Sequence, residues 1–209
     1  RVYPFFLEAA LVTVQLSVLT CILGLACGAL GASMRLSRLA PLRWIAATYV
    51  SLFRGTPALI QVFILYFGGP QVGINLDAFA AGTIALGVNI GAYMTETIRG
   101  AILSVDKGQY EGARTLGLSR GQTLRRIVIP QAVRAVIPPM GNNMIALLKD
   151  SALVSVIGVA ELTLTAQQAI SRTYRPFEFY LAAAFCYYII NLALEAGLRR
   201  LERRIAASR

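Results

Sequence analysis

Long apolar runs without a charged residue divide this chain. No Asp, Glu, Lys or Arg occurs in residues 9–34, 55–76 or 78–95. A helix needs about 20 mostly apolar residues to cross the hydrocarbon core of a bilayer. These runs are long enough to span a membrane, and they are too many to be one cleaved signal peptide. The pattern predicts an all-α, polytopic membrane protein with a single transmembrane domain over residues 1–209.

The composition agrees with this prediction. Hydrophobic residues make up 56% of the 209 residues, 14% are charged, and the mean hydropathy is +0.62, whereas soluble domains carry about 25% charged residues. The formal net charge of +10 would suggest nucleic-acid binding in a soluble protein. In an apolar chain it fits the excess of Lys and Arg in cytoplasmic segments of membrane proteins, so no nucleic-acid partner is expected.

The basic residues form three clusters that set the topology. They lie in the first loop, in a region near 104–129, and in a tail formed by Arg199, Arg200, Arg203, Arg204 and Arg209. If all three clusters are cytoplasmic, the chain has about five spans, with its N-terminus outside and its C-terminus in the cytoplasm. The predicted spans cover roughly 9–33, 43–68 and 78–101, a fourth from about Pro130, and roughly 177–198.

The segment 131–175 is too long for one helix and a tight loop. Its breaking and polar residues are Pro138, Pro139, Gly141, Asn142, Asn143, Lys149, Asp150 and Glu161. Non-helical backbone at membrane depth is tolerated only where it is buried in protein or lines a cavity. We therefore predict a discontinuous fourth span.

The side-chain chemistry argues against an enzyme. The chain has no His, which removes the commonest general base and metal ligand. It also has no G-x-x-x-x-G-K-[ST] loop to hold phosphates. Cys21, Cys27 and Cys186 all lie inside apolar runs, which predicts small core residues and not a disulfide or metal site. We expect no catalytic residue, metal site or cofactor site in this chain.

A polar segment with several glycines, about 104–129, separates two apolar regions. Asp106 stands where an N-cap would begin a helix, and Gly117 falls where a left-handed residue would end it. Ser119 and Gln122 have the spacing of a capping box that begins a second helix. The segment is therefore predicted to be a cytoplasmic hairpin of two short helices.

Two leucines are predicted at the tip of this hairpin. Leu116 and Leu118 flank the glycine turn, and an apolar tip on a basic hairpin suggests contact with a groove on another protein. The alternative is an amphipathic helix that lies on anionic lipid. Taken one residue at a time, the two interpretations are about equally good.

The spacing of the hairpin resembles the EAA loop of ABC-importer permeases. The pattern of that family is E-A-A, three residues, G, nine residues, and then I-x-L-P. Glu111, Ala113 and Gly117 match it in register, and I-V-I-P follows at 127–130. The chain departs from the pattern twice: Gly112 replaces the central Ala, and an Ile replaces the Leu.

Other motifs resemble the branch of that family that imports polar amino acids, and they extend over most of the chain. They are R-G-T-P at 54–57, A-Y at 92–93 with Glu96 and R-G at 99–100, P-Q-A at 130–132, L-L-K-D-S at 147–151 and V-I-G-V-A-E-L at 156–162.

The resemblance implies a subunit that carries no catalysis of its own. In that family two permeases, identical or related, form the pore in the bacterial inner membrane. Two ABC ATPase subunits bind ATP and Mg and contact the EAA loops, and an external binding protein delivers the amino acid. The implied ATPase contact comprises Glu111, Gly112, Ala113, Leu116, Gly117, Leu118, Ser119 and Arg120.

Arg54 and Glu96 lie in or beside the apolar runs. A charge at the bilayer centre costs about 2.5–3.5 kcal/mol on insertion scales, so pairing is favoured. We predict an ion pair between Arg54 and Glu96 that braces the cytoplasmic gate. The alternative places Arg54 against a carboxylate of the substrate.

A polar stripe follows the predicted break. Glu161, Thr165 and Gln168 stand at i, i+4 and i+7 of a helix, and a buried polar stripe in a membrane helix marks a cavity lining. The broken end before them offers backbone N–H groups to a carboxylate, and Glu161 offers an acceptor to an ammonium. The predicted substrate site comprises Asn142, Asn143, Ser155, Glu161, Thr165 and Gln168.

Structural alternatives remain for the polar stripe and for the glycines. The stripe could be a clamp between helices or face water, and Glu161 could neutralise Lys149 or Arg172. The pairs Gly24/Gly28 and Gly87/Gly91 let helices approach closely. That approach could build a subunit interface or the packing within one subunit.

Two other functions stay open on the residues alone. A self-sufficient secondary transporter is disfavoured because the chain shows no inverted repeat and no series of buried carboxylates for proton coupling. A membrane scaffold without transport would leave the cavity-lining stripe unexplained.

Overall fold

The computed structural model describes residues 3–207, and side chains over 5–205. Arg209 of the predicted basic tail lies outside these residues. The regular structure of the described part is helical: α1 (Tyr3–Arg35), α2 (Ala40–Gly55), α3 (Ala58–Phe63), α4 (Ala78–Leu103), α5 (Lys107–Thr115), α6 (Arg120–Thr123), α7 (Ile129–Asp150), α8 (Leu162–Thr173) and α9 (Pro176–Ala207). Short π-helical or 3-10 turns extend three of them, at Ile64–Gly68 and Gly69–Val72 after α3, at Leu124–Val128 after α6, and at Ser151–Ile157 after α7.

The helices confirm an all-α, polytopic membrane protein. Within the described residues three are long and apolar enough to cross a bilayer: Phe5–Arg35, Ala78–Leu103 and Pro176–Ile205. The pair Ala40–Gly55 and Ala58–Val72 makes a fourth candidate if it is counted as one span. The total of five stays a prediction, because α7 is long enough to span a bilayer but is not apolar enough to count as a candidate span.

The second predicted span is broken, which the sequence prediction missed. Helices α2 and α3 meet at 106°. Thr56 lies between them in an extended conformation, with φ −122° and ψ 147°, and Pro57 follows it. Proline disfavours the helical conformation in the residue before it, so the helix stops there.

The fourth span is discontinuous, as predicted for the segment 131–175, but the break does not fall at the prolines. Helix α7 runs unbroken through Pro138 and Pro139, although each proline removes one backbone hydrogen bond. Contacts after the prolines hold the helix to its neighbours: Gly141 packs on Leu198 of α9, and Asn143 bonds to α4. The break comes later, at the turn Ser151–Ile157 and the loop before α8.

The packing of α1 against α4 explains the paired glycines. A Cβ added at Gly28 would lie 2.6 Å from the Cβ of Met94, and one added at Gly91 would lie 2.6 Å from the Cβ of Cys27. Only glycine lets the two backbones approach this closely. Of the two alternatives left by the sequence, packing within one subunit is therefore the correct one for these glycines.

A second, smaller core fixes the hairpin to the membrane helices. Ala101 of α4 and Val105, just after that helix, pack with Val128, just before α7, and with Ala132 of α7. Tyr110 of α5 packs against this cluster. The hairpin is thus attached to α4 and α7 together.

Candidate functional site

The caps predicted for the hairpin are confirmed. The Asp106 carboxylate accepts a hydrogen bond from the Gly108 N–H at 2.7 Å, at the start of α5. At the start of α6, the Ser119 hydroxyl accepts from the Gln122 N–H at 3.3 Å. The Gln122 side chain accepts in return from the Ser119 N–H at 2.8 Å. Both helix starts are therefore specified by local sequence.

The glycine turn between the two helices is also confirmed. Gly117 has φ +73°, the left-handed conformation that glycine adopts without steric cost. The Gly117 N–H donates to the Arg114 carbonyl at 2.9 Å, and the Leu118 N–H donates to the Ala113 carbonyl at 3.0 Å. These paired bonds close the end of α5 and aim the tip of the hairpin.

The surface of the hairpin differs in part from the prediction. Leu116 is 78% exposed and projects from the tip, but Leu118 is only half-buried and does not form a second exposed apolar point. Ala113 is buried, and its carbonyl accepts the Leu118 N–H that closes the turn. The remaining residues of the predicted contact are exposed: Glu111, Gly112, Gly117, Ser119 and Arg120.

The predicted ion pair between Arg54 and Glu96 does not form. Glu96 instead pairs with Arg99, one turn along α4, at 2.8 Å, and with Arg35 at the end of α1, at 3.3 Å. The Arg54 guanidinium lies over the ring of Tyr93, 5.1 Å from its centroid. The prediction failed because the carboxylate is already occupied by two nearer cations.

The side-chain amides of Asn89 and Gln61 stabilise the break between α2 and α3. The Asn89 side chain donates to the Phe53 carbonyl at 2.9 Å and to the Gln61 side-chain oxygen at 3.0 Å. The Gln61 amide donates to Phe53 O at 3.0 Å and to the Thr56 hydroxyl at 2.8 Å. They satisfy polar groups that the helix break releases, which membrane-depth backbone requires.

A cavity of about 530 Å³ opens beside this break, between α2, α4 and α7. Its polar lining comprises Arg54, Thr56, Asn89, Tyr93, Asn143 and Asp150. The cavity thus carries one cationic and one anionic side chain. Sequence reasoning placed Asn143 at a substrate site and considered Arg54 for the substrate carboxylate only as an alternative. It missed Thr56, Asn89, Tyr93 and Asp150, although Asn89 stands out as a polar residue in an apolar run.

The structure does not gather the six predicted substrate residues into one place. Asn143 lies in the cavity and donates to the Thr97 hydroxyl of α4 at 3.1 Å. Asn142, its neighbour, is exposed. The Ser155 side chain is buried and donates to the carbonyl of Ala152 at 2.7 Å.

Glu161 is fully buried as the N-cap of α8. One carboxylate oxygen accepts from the Leu164 N–H at 2.9 Å, and the other accepts from the Tyr187 hydroxyl of α9. Among the described residues no salt bridge joins Glu161 to Lys149 or Arg172. The interactions of Glu161 therefore fit the alternative of a clamp between helices.

The other two residues of the stripe lie in a separate cavity. Thr165 and Gln168 line a space of about 440 Å³ between α1, α8 and α9. Glu161 does not line it, because as the N-cap it turns back to the backbone of its own helix.

Known proteins similar to this chain are membrane permeases. The family described as "Binding-protein-dependent transport system inner membrane component" matches residues 23–207. The L-cystine transport system permease protein TcyB of Bacillus subtilis (strain 168) is 41% identical over 204 residues, which are 97% of this chain and 87% of that protein. The glutamine transport system permease protein GlnP of Escherichia coli (strain K12) is 40% identical over 204 residues, 97% of this chain and 93% of that protein.

The solved structures that resemble this chain are also of transporters. A crystal structure of an amino acid ABC transporter with histidines has a chain that is 40% identical, with a TM-score of 0.92, over 97% of this chain and 94% of that chain. An inward-facing structure of the MetNI methionine ABC transporter matches with a TM-score of 0.77 at 19% identity, over 96% of each chain, and shows the shared fold. The chain therefore belongs to the family of binding-protein-dependent transport system inner membrane components.

Proposed function

We propose that this chain is the transmembrane subunit of an ATP-driven importer of amino acids in the bacterial inner membrane. The observation that carries the proposal is the capped hairpin with its exposed apolar tip, in a chain of this family. Two copies of this chain, or this chain and a related permease, form the translocation pathway across the membrane. Two ABC ATPase subunits supply the energy, and an external binding protein delivers the cargo.

The attachment of the hairpin supports a coupling role. Its base packs on both α4 and α7 through Ala101, Val105, Val128 and Ala132. Asn89 and Tyr93 of α4 and Asn143 of α7 line the cavity beside the break. A displacement of the hairpin would therefore reach the two helices that form the walls of the cavity. This account places the hairpin and the C-terminus in the cytoplasm and the N-terminus outside.

The cavity beside the break between α2 and α3 is our candidate binding site for the transported amino acid. Every amino acid zwitterion carries a carboxylate and an ammonium, and both need partners where water is scarce. Arg54 can donate to the carboxylate, and Asp150 can accept from the ammonium, since both line the same cavity of about 530 Å³. In this proposal Glu161 does not contact cargo; it holds α8 against α9.

Cross-linking tests the coupling role. The native cysteines lie in α1 and α9, where Cys21 is buried and Cys27 and Cys186 are partly buried, so a cysteine at the exposed tip would react first. A short cross-linker on Leu116→Cys should capture the ATPase subunit in the assembled transporter. The same reagent on Arg175→Cys, at the opposite end of the fold, should not.

The result that would contradict the coupling role is an active, assembled transporter in which Leu116→Cys captures no ATPase subunit.

Substitutions at two neighbouring charged residues, Lys149 and Asp150, test the proposed amino acid site. Asp150 faces the cavity, whereas Lys149 lines a different space against α9. Asp150→Asn should raise the KM for uptake by at least about tenfold, because losing a hydrogen bond to a charged group costs about 1.5–3 kcal/mol and each 1.4 kcal/mol is a factor of about ten. Lys149→Gln should leave KM within about twofold, because it lines the other space. Equal effects of the two variants would remove the cavity from the transport route.

A further inference from the structure

Helix α9 presents an exposed apolar stripe along its length. Leu181, Phe185, Tyr188 and Leu192 are 59%, 63%, 58% and 37% exposed. At 3.6 residues per turn these four positions fall within about 60° of one another. Only 6% of the most apolar part of α9 is buried within the chain. This face is the one that α9 turns away from the rest of the fold.

The same stripe ends in arginines. Arg199 follows Leu192 by two turns, and Arg203 follows Arg199 by one more, so both fall within the same sector of about 60°. Arg203 is exposed and takes part in no salt bridge among the described residues. Arg199 contacts Glu195 at 3.5 Å in an exposed pair, which leaves most of its N–H donors free for another partner.

The depth of Arg199 and Arg203 in the membrane follows from their position along α9. Tyr174, in the turn before α9, and Phe177, in its first turn, are 87% and 77% exposed and are aromatic residues of the kind that mark a membrane interface. About 20 residues cross the hydrocarbon core, so α9 leaves it near residue 197. Arg199 and Arg203 then lie in the layer of lipid headgroups at the other surface.

We propose that Arg199 and Arg203 form a binding site for the phosphate of an anionic phospholipid, with Arg200 and Arg204 on its flank. Below the headgroup, the exposed residues of the stripe would contact the acyl chains. Guanidinium groups bind phosphate oxygens in pairs and carry a permanent charge. A stripe that changes from apolar to cationic at the depth of the headgroups complements a lipid along its whole length.

The binding of defined lipids to the intact permease tests the site. Native mass spectrometry in an uncharged detergent gives dissociation constants for phosphatidylglycerol and for phosphatidylcholine with the same acyl chains. The wild-type protein should bind phosphatidylglycerol more tightly. R199Q/R203Q should weaken phosphatidylglycerol binding about 30-fold, or about fivefold per arginine, and leave phosphatidylcholine binding unchanged.

A matched variant controls for the loss of charge alone. R172Q/R175Q removes two exposed arginines near the other end of α9 and should keep the wild-type affinity for phosphatidylglycerol. The same spectra report whether each variant keeps its mass and assembly. Equal binding of the two lipids by the wild-type protein would overturn the proposal. So would an equal loss in both double variants, or an unchanged affinity in R199Q/R203Q, which is the result expected if a partner subunit covers the stripe.

Discussion

Replacing Tyr187 with Phe removes the hydroxyl group that donates a hydrogen bond to the buried carboxylate of Glu161. Glu161 is 0% exposed, and the Tyr187 hydroxyl donates to one of its oxygens. The same hydroxyl lies 3.3 Å from the Thr163 hydroxyl. Tyr187→Phe keeps the ring and its packing, so the change tests the hydrogen bond between α8 and α9 and creates no large cavity.

The magnitude follows from leaving a buried acceptor without its donor. That loss costs about 1–3 kcal/mol, and we expect a value near 2 kcal/mol because the Leu164 N–H still caps the other oxygen. For a chain of this length such a loss lowers Tm by about 4–8 °C. Thermal unfolding in lipid nanodiscs, followed by circular dichroism, measures the shift.

The next residue provides the control. Tyr188 is 58% exposed and belongs to the apolar stripe of α9, so Tyr188→Phe should leave Tm unchanged within about 1 °C, as surface changes do. Equal shifts in the two variants, or no shift in Tyr187→Phe, would refute the reasoning that Glu161 depends on this hydroxyl.

Three further predictions follow from the glycine positions and from the division of roles between subunits. Gly28→Ala should destabilise the protein because its Cβ would lie 2.6 Å from the Cβ of Met94, whereas Gly100→Ala, with open space around it, should stabilise α4 by up to about 1 kcal/mol in the same unfolding assay. Gly117→Val places a β-branched residue at φ +73°, a local strain of about 1–3 kcal/mol. That variant should insert in the membrane but lose transport and stimulated ATP hydrolysis, and Gly121→Ala should keep both. The purified chain should hydrolyse no ATP without its ATPase partner, and turnover by the chain alone would contradict the proposed division of labour.

The hairpin was predictable because its signals are local. An N-cap such as Asp106, a left-handed glycine and a capping box act over a few residues, so the sequence specifies them without knowledge of the rest of the fold. The exposure of its tip was less predictable. Whether Leu118 faces water depends on the chain that packs beside it, and of the two leucines the structure leaves Leu116 exposed and Leu118 half-buried.

The breaks in the spans show where local signals compete. Pro138 and Pro139 suggested a break, but the packing of the following residues keeps α7 helical. Thr56 and Pro57 carried the same kind of signal inside an apolar run, and there the chain does break. The difference lies in tertiary contacts: Asn89 comes from a separate helix to satisfy the released Phe53 carbonyl.

The candidate site depended on contacts between distant residues and was predicted only in part. Charge pairing favoured a partner for Arg54, but the sequence could not show that Arg35 and Arg99 already bind Glu96. Helical spacing grouped Glu161 with the stripe of α8, although an N-cap side chain turns toward its own backbone. Knowing that a residue is polar and buried did not say which cavity it would face.

Uptake into proteoliposomes tests the central claim most directly. The chain is reconstituted with its ATPase subunits, and labelled amino acids are supplied on the loaded external binding protein, with ATP enclosed on the side of the hairpin. We predict accumulation of an amino acid only when ATP, the ATPase subunits and the binding protein are all present. Accumulation by the chain alone, driven by an ion gradient without ATP or ATPase subunits, would contradict the account.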